Sequence, residues 1–310
     1  MGVMRKALLA GSQSPWLKRQ ATQRAFVRRA VSRFMPGEHL DDALAAAQAL
    51  REKNLPSVLT RLGENVATEE EADEVREHYL GALDKIAAQG AAAEISVKPT
   101  QLGLDLDRER CFARLAALVE RANQLGNFVW IDMEQSRYVD ATLELCRRAC
   151  ALRQNVGVCL QAYLRRTAAD LEALVPTGAG IRLVKGAYME PADVAFPSKA
   201  EVDRNYFLLA GVLFDAPARA SGVRAVFGTH DPRLALSIRA LAQARGMSTA
   251  EVEFHMLYGI QARTQEFLVA EGARVRVLVS YGDYWFPWYM RRLAERPANV
   301  LFVVRSLFRR

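Results

Sequence analysis

The sequence predicts an α/β fold of the TIM-like (β/α)8 barrel class, on three observations. From Pro56 onward, eight short runs rich in β-branched residues alternate with long amphipathic stretches rich in Ala, Leu and Arg. Several of these runs are apolar on both faces, as parallel strands are when they lie between a barrel interior and an outer layer of helices. No run is followed by the GxGxxG turn of a doubly wound dinucleotide fold, and the nearest approach, Thr177-Gly178-Ala179-Gly180, precedes a strand instead.

Taken in order, Leu40–Asn54 carries apolar residues at helical spacing, with Asp41 and Asp42 suited to the positive end of the helix dipole. The predicted strands are 57–63, 93–98, 128–134, 157–163, 181–186, 224–230, 252–257 and 276–282. Eight strands joined by helices favour a closed barrel over an open sheet. We therefore expect an N-terminal helical arm over residues 1–55 and a catalytic barrel over 56–310. A length of 310 residues is ordinary for one barrel domain, and no internal repeat or linker divides it.

Composition narrows the function classes. No apolar run reaches the roughly 18–20 residues that cross a bilayer, so a protein in solution is expected. The N-terminus has no continuous apolar stretch with a cleavage site, which points to the cytoplasm. Four cysteines, Cys111, Cys146, Cys150 and Cys159, show no zinc-ligand pairing and no CxxC, and read as packed thiols. The formal charge of +7 is concentrated in Arg5, Lys6, Lys18, Arg19, Arg24, Arg28, Arg29 and Arg33, all before the first acid, Glu38. This arm reads either as a solvated basic face or as a peripheral contact with the inner face of the cell membrane. No stacking aromatics or DNA-reading motif accompany it, so nucleic acid is not an expected partner.

Active sites of barrels form at the C-terminal ends of the strands, so polar residues that end apolar strands are the candidates. Here they are Lys98, Asp132 with Glu134, Gln161, Arg182 with Lys185, Thr229-His230-Asp231, and His255. Buried charge is costly unless paired, and so many at one rim is hard to assign to packing. Lys185-Gly186-Ala187-Tyr188 places a cation beside a glycine, an arrangement that suits a diphosphate. Asp132, Glu134, His230, Asp231 and His255 offer oxygen and nitrogen for a metal. The absence of HxH or HxxxH and a rim rich in Lys and Arg oppose that reading. Near the C-terminus, a helix over Trp288–Pro297 would set Glu295 four residues after Arg291 and three after Arg292, orienting both guanidiniums. Such a pair either clamps a substrate carboxylate or forms a surface salt bridge. The preceding aromatics Tyr281, Tyr284, Trp285, Phe286, Trp288 and Tyr289 favour a lid over a pocket.

With Lys98, Ile131-Asp132-Met133-Glu134, Leu160-Gln161-Ala162-Tyr163, Arg182 to Tyr188, Thr229-His230-Asp231, Glu253 to Gly259 and Arg291 to Asn299, the chain resembles the proline dehydrogenases. The resemblance spans about Leu40 to Arg310. It covers both the monofunctional bacterial form and the catalytic domain of the bifunctional proline-utilisation proteins. It implies a last helix, about 284–296, seated over the barrel mouth, and non-covalent FAD. The implied flavin contacts are Met133, Gln161, Arg182, Val184, Lys185, Gly186, Ala187, Tyr188, Ser198, Lys199, Thr229, His230, Asp231, His255 and Phe302. Lys98, Leu257, Leu278, Trp288, Arg291, Arg292 and Glu295 are implied to surround the substrate. Arg182 and Asp132 take the implied catalytic roles, Asp132 paired with Lys98 or Arg291. The implied reaction oxidises L-proline to Δ1-pyrroline-5-carboxylate in proline catabolism and passes electrons to a quinone-type acceptor.

Four positions depart from the family pattern, three of them in the last two strands: Leu278 stands where a tyrosine packs on the proline ring, Ser280 where a proline follows, and His255 where a glutamine is usual. A tyrosine of the mouth helix is Trp288. These changes touch the ring pocket, and they admit 4-hydroxyproline or another substituted proline as substrate. A catalytically quiet flavin-binding homologue is a further reading, against which the intact Arg182, Arg291, Arg292 and Glu295 speak.

Overall fold

A computed structural model describes residues 31–286. In chain order the elements are α1 (Leu40–Arg51), β1 (Ser57–Arg61), α2 (Glu69–Ala88), β2 (Ala93–Val97), α3 (Arg108–Gln124), β3 (Val129–Ile131), α4 (Val139–Leu152), β4 (Val156–Gln161), α5 (Thr167–Leu174) and β5 (Gly180–Val184). They continue with α6 (Lys199–Phe214), α7 (Ala216–Ala220), β6 (Ala225–Gly228), α8 (Pro232–Ala244), β7 (Glu253–Leu257), α9 (Ala262–Ala270) and β8 (Arg274–Tyr281). All eight strands pair in parallel, each with the next, and β8 pairs back onto β1 to close the barrel. The expected (β/α)8 architecture is therefore the fold. No described helix is long and apolar enough to cross a membrane.

Alternation along the strands divides the residues between two environments. Leu59, Ile95, Ile131, Val158, Leu183, Phe227, Phe254 and Val277 turn outward and form one continuous core with the helices. Their neighbours turn inward, as contacts between strands on opposite sides of the barrel show: Arg182 of β5 reaches Ser96 of β2, and Trp130 of β3 meets His255 of β7. Helix starts follow ordinary capping chemistry. Thr68 and Ser198 each accept the amide of the residue three further on, Glu71 and Glu201. Asp42 accepts the His39 amide at the start of α1, whose Ala43, Leu44 and Ala47 are buried against the barrel at β1 and β8.

Inside the barrel the lower half is ionic. Arg224 bridges two carboxylates, Nη1 to Glu94 Oε1 at 2.8 Å and Nε to Glu253 Oε2 at 3.0 Å. Arg276 does the same, at 3.1 Å from Glu94 and 3.2 Å from Glu253. Trp130 lies above this floor, fully buried, its indole N–H given to Glu94 Oε2 at 2.8 Å. Two glycines make room for the indole: a Cβ on Gly157 would stand 2.7 Å from Trp130 Cζ3, and one on Gly180 3.1 Å from Cη2. Val58, Val226 and the half-buried Leu278 complete the apolar belt around it.

Candidate active site

Above Trp130 the strands deliver their inward residues to the C-terminal mouth. Arg182, on β5, is 3 % exposed and lies over the indole at 5.1 Å from the ring centroid. It forms an ion pair with Asp132, just past β3, and donates from Nη2 to Ser96 Oγ at 2.8 Å and from Nε to Cys159 Sγ at 2.7 Å. The resemblance suggested Lys98 or Arg291 as the partner of Asp132. In the structure the carboxylate takes Arg182, because both project from neighbouring parts of the lumen, while Lys98 ends β2 outside the strand and Arg291 lies outside the described residues.

Polar atoms with no partner among the described residues point to what the mouth can hold. Gln161 donates weakly from Nε2 to the Met133 carbonyl at 3.5 Å, and its Oε1 has no partner although it is buried. Arg182 Nη1 is likewise buried without an acceptor. Such groups are costly to desolvate and leave unmet, so an acceptor at the end of β4 and a donor in the middle of the neighbouring β5 suit a polar ligand. Beyond β5, Gly186 has φ +107, and a Cβ there would lie 2.2 Å from the Tyr163 ring. That backbone passage is open to glycine alone. Val184 closes β5, and a Cβ on Gly228 would stand 2.7 Å from its Cγ1.

The two lysines expected to face phosphates sit together at the mouth, in a four-charge cluster. Both Lys185 and Lys199 pair with Asp203, and they reach Asp231 at 3.5 Å and 3.3 Å. Ser198 beside them is the cap of α6, accepting the Glu201 amide at 3.2 Å and donating to Glu201 Oε2 at 2.6 Å. Asp231 caps α8 through the Arg233 amide, and Thr229 Oγ1 accepts the Asp231 amide at 3.1 Å. His230 Nε2 accepts the Leu257 amide at 2.8 Å, which makes the ring neutral with its proton on Nδ1. Ala187 is exposed and Tyr188 half-buried in the loop after β5. Trp288, Arg291, Arg292, Glu295 and Phe302 lie outside the described residues. Among the described residues no group of three or more His, Cys, Asp or Glu is placed to hold a metal ion.

His255, in the middle of β7, turns into the lumen toward Trp130. Its Nε2 meets Glu253 Oε1 at 3.2 Å and its ring edge faces Trp130 at 5.3 Å. Burial pushes its pKa down to about 4, so it is neutral at pH 7 beside the Arg182 charge. The Nδ1 atom is buried without a partner.

Glu134 illustrates how burial sets a charge at this mouth. It accepts the Thr100 amide at 3.0 Å and the Thr100 hydroxyl at 2.7 Å, yet burial pushes its pKa up to about 7 from an ordinary 4.5. A raised value means that its contribution to stability is complete below pH 4.5 and is lost as the pH rises through 7. Glu134→Gln should therefore gain stability relative to the parent between pH 5 and pH 8, on the order of 2 kcal/mol. Urea denaturation at the two pH values measures it, and a difference that does not change with pH removes the explanation.

Sequence reasoning did not single out Ser96, Cys159 or Trp130, nor the ionic floor. The signal was available in the period of two. Ser96, Trp130 and Cys159 each stand two residues before a singled-out position, Lys98, Asp132 and Gln161, and so share its face.

A closed parallel barrel that carries Asp132 just past β3, Gln161 at the end of β4 and a buried Arg182 in its lumen has the architecture of a barrel enzyme. The family profile described as proline dehydrogenase matches residues 43–305. The chain is 35 % identical over 283 residues to Proline dehydrogenase 1 of Bacillus subtilis, covering 91 % of this chain and 92 % of that one. It is 34 % identical to the Proline dehydrogenase of Deinococcus radiodurans, covering 98 % of each. Among solved structures, proline utilization A from Bdellovibrio bacteriovorus inactivated by N-propargylglycine superposes with a TM-score of 0.80 at 25 % identity, covering 86 % of this chain and 32 % of that one. The chain thus spans about a third of the length of that structure. It belongs to the proline dehydrogenase family, and it is an enzyme of that kind.

Proposed function

We propose that the enzyme oxidises L-proline to Δ1-pyrroline-5-carboxylate with bound FAD and passes the electrons to a quinone-type acceptor. The observation that carries the flavin is the buried pair of unmet groups, Gln161 Oε1 at the end of β4 and Arg182 Nη1 in the middle of the neighbouring β5. FAD, when bound, supplies the hydride acceptor. The residues of the chain supply position, charge and a dry site. Arg182 would be the cation that stabilises negative charge developing on the bound flavin. Met133, Gln161, Val184 and His255 would be the residues that hold the flavin ring. Lys185, Gly186, Ala187, Tyr188, Ser198, Lys199, Thr229, His230, Asp231 and Phe302 form the reading's route for the phosphates and adenine. Along that route, an incoming diphosphate would take Lys185 and Lys199 from Asp203 and Asp231.

The substrate then lies toward the mouth, its carboxylate held by Lys98, Arg291 and Arg292, with Glu295 orienting the arginines. Asp132 faces it from β3. The substrate nitrogen must be neutral, since its lone pair expels the hydride, and the product is the cyclic imine. Leu257, Leu278 and Trp288 bound the ring. The basic residues before Glu38 suit a peripheral approach to an anionic membrane surface, where quinones reside. In that placement the enzyme works from the cytoplasmic side.

Anaerobic addition of proline to FAD-loaded protein should bleach the flavin band near about 450 nm and yield a cyclic imine. Protein that takes up no FAD, or FAD-loaded protein that no cyclic imino acid bleaches, would overturn the reading. A second substrate is favoured by one observation: Leu278 points into the lumen beside Val58, Trp130 and Val226, where a tyrosine would crowd a ring substituent. Leu278→Tyr should shift the ratio of kcat/KM for proline over 4-hydroxyproline toward proline by roughly 5- to 100-fold. An unchanged ratio removes Leu278 from the ring pocket.

A further inference from the structure

We infer that Ser96 and Cys159 are positioning residues, two neutral bridges that hold the Arg182 guanidinium and the Asp132 carboxylate so that one edge of each is left for the reacting partners. The inference rests on the flavin-dependent reading above for its effect on turnover, though the bridges themselves are visible without a flavin. Ser96 Oγ donates to Asp132 Oδ1 at 2.9 Å and accepts from Arg182 Nη2 at 2.8 Å. Cys159 Sγ lies 3.7 Å from the same Oδ1 and accepts from Arg182 Nε at 2.7 Å. The direction of each bond is forced, because a guanidinium only donates and an ionised carboxylate only accepts. Each bridge therefore uses its single hydrogen toward Asp132 and a lone pair toward Arg182.

The consequence is a division of labour within each charged group. Arg182 spends Nε and Nη2 on the bridges and Asp132, which leaves Nη1 as its unmet donor. Asp132 Oδ1 receives Ser96, Cys159 and Arg182, whereas Oδ2 has no partner among the described residues. The bridge requires a protonated sulfur, and burial provides it by pushing the Cys159 thiol up to about 11, against the pull of Arg182. Packing alone is the competing explanation for Cys159, since its neighbours on β4 are apolar. Valine fills a similar volume but offers neither acceptor nor donor, so the two explanations separate by substitution.

The test uses the full chain in two states. In the FAD-loaded enzyme, C159V and S96A should each lower kcat about tenfold with KM for proline within about twofold, while C159S stays within about threefold of the parent. In flavin-free protein, the Arg182 Nε–H resonance, assigned by its loss in R182K, should exchange with solvent at least about tenfold faster in C159V and return toward the parent rate in C159S. Parent-like kcat and exchange in C159V overturn the bridge at Cys159, as does a C159S as impaired as C159V in both readings. Should C159V fail to fold, the C159S exchange rate and the S96A kinetics decide: an accelerated C159S or an unchanged S96A counts against the inference. If the parent enzyme itself is not reduced by proline, the flavin reading fails, and the exchange rates still decide whether the bridges hold Arg182.

Discussion

Arg182→Met should slow reduction of the bound flavin by proline about a hundred- to a thousandfold, the largest kinetic effect expected of any single change in the described residues. Methionine keeps much of the volume and removes the only charge that the lumen turns toward the mouth from β5. The donor at Nη1 would be lost together with the cation proposed to steady the flavin as it is reduced. Stability falls as well, because the Asp132 carboxylate loses its ion pair. Its side chain is 21 % exposed, so the cost is on the order of 2 kcal/mol, below that of a fully buried orphaned charge. Anaerobic stopped-flow reduction separates the two, since it is read on folded, flavin-loaded protein. A rate within about threefold of the parent would remove Arg182 from the chemistry and leave it a structural ion.

The second large effect is one of stability, at the opposite end of the barrel. Glu253→Leu should cost about 3–5 kcal/mol, because Arg224 and Arg276 lose one of their two carboxylates and the His255 side chain loses the one hydrogen-bond partner it has among the described residues. Burial works to raise the Glu253 carboxyl, yet the His255 contact and the Arg224 guanidinium overcome it and hold it well below the ordinary carboxylate range. The stability it confers is thus present at neutral pH and is lost progressively as the pH falls below the ordinary carboxylate value of 4.5. In a barrel of this length the expected fall in Tm is roughly 6–20 °C. Pairing the change with Arg224→Leu should restore part of the loss, as replacing whole buried ion networks by apolar groups does. A single variant that melts within about 2 °C of the parent would show that the floor is not held by these ions.

Much of the fold was legible because strands buried on two faces leave an unmistakable record. The run 93–98 became Ala93–Val97, and 252–257 became Glu253–Leu257. Departures have local causes. The expected strand 128–134 ends at Ile131, since Asp132, Met133 and Glu134 leave the ladder to line the mouth and meet Thr100. The last strand begins earlier than expected, at Arg274, because alternate arginines of its first turns belong to the floor. At the site, Arg182 and Asp132 were readable from their type and place at strand ends. Their mutual pairing was not, nor were the floor contacts, because Glu94 and Arg224 meet across 130 residues of sequence. Charges at the first residue of a strand look like loop charges until a barrel closes over them. Small groups such as Ser96 and Cys159 carry no signal of their own beyond parity along the strand.

Trp130 acts as an insulator. Its one exchangeable hydrogen is committed to Glu94, its rings are wedged against two glycines, and it lies between the ionised floor and the Arg182 layer. An indole has no acceptor with which to hand a proton onward. Protons set free above it have no relay downward through the ring, and the proton of the neutral His255 has none upward. The ring thus offers protons no path between the ionic floor and the Arg182 layer, while the charges on its two sides still act on one another, as the Arg182 guanidinium does on His255.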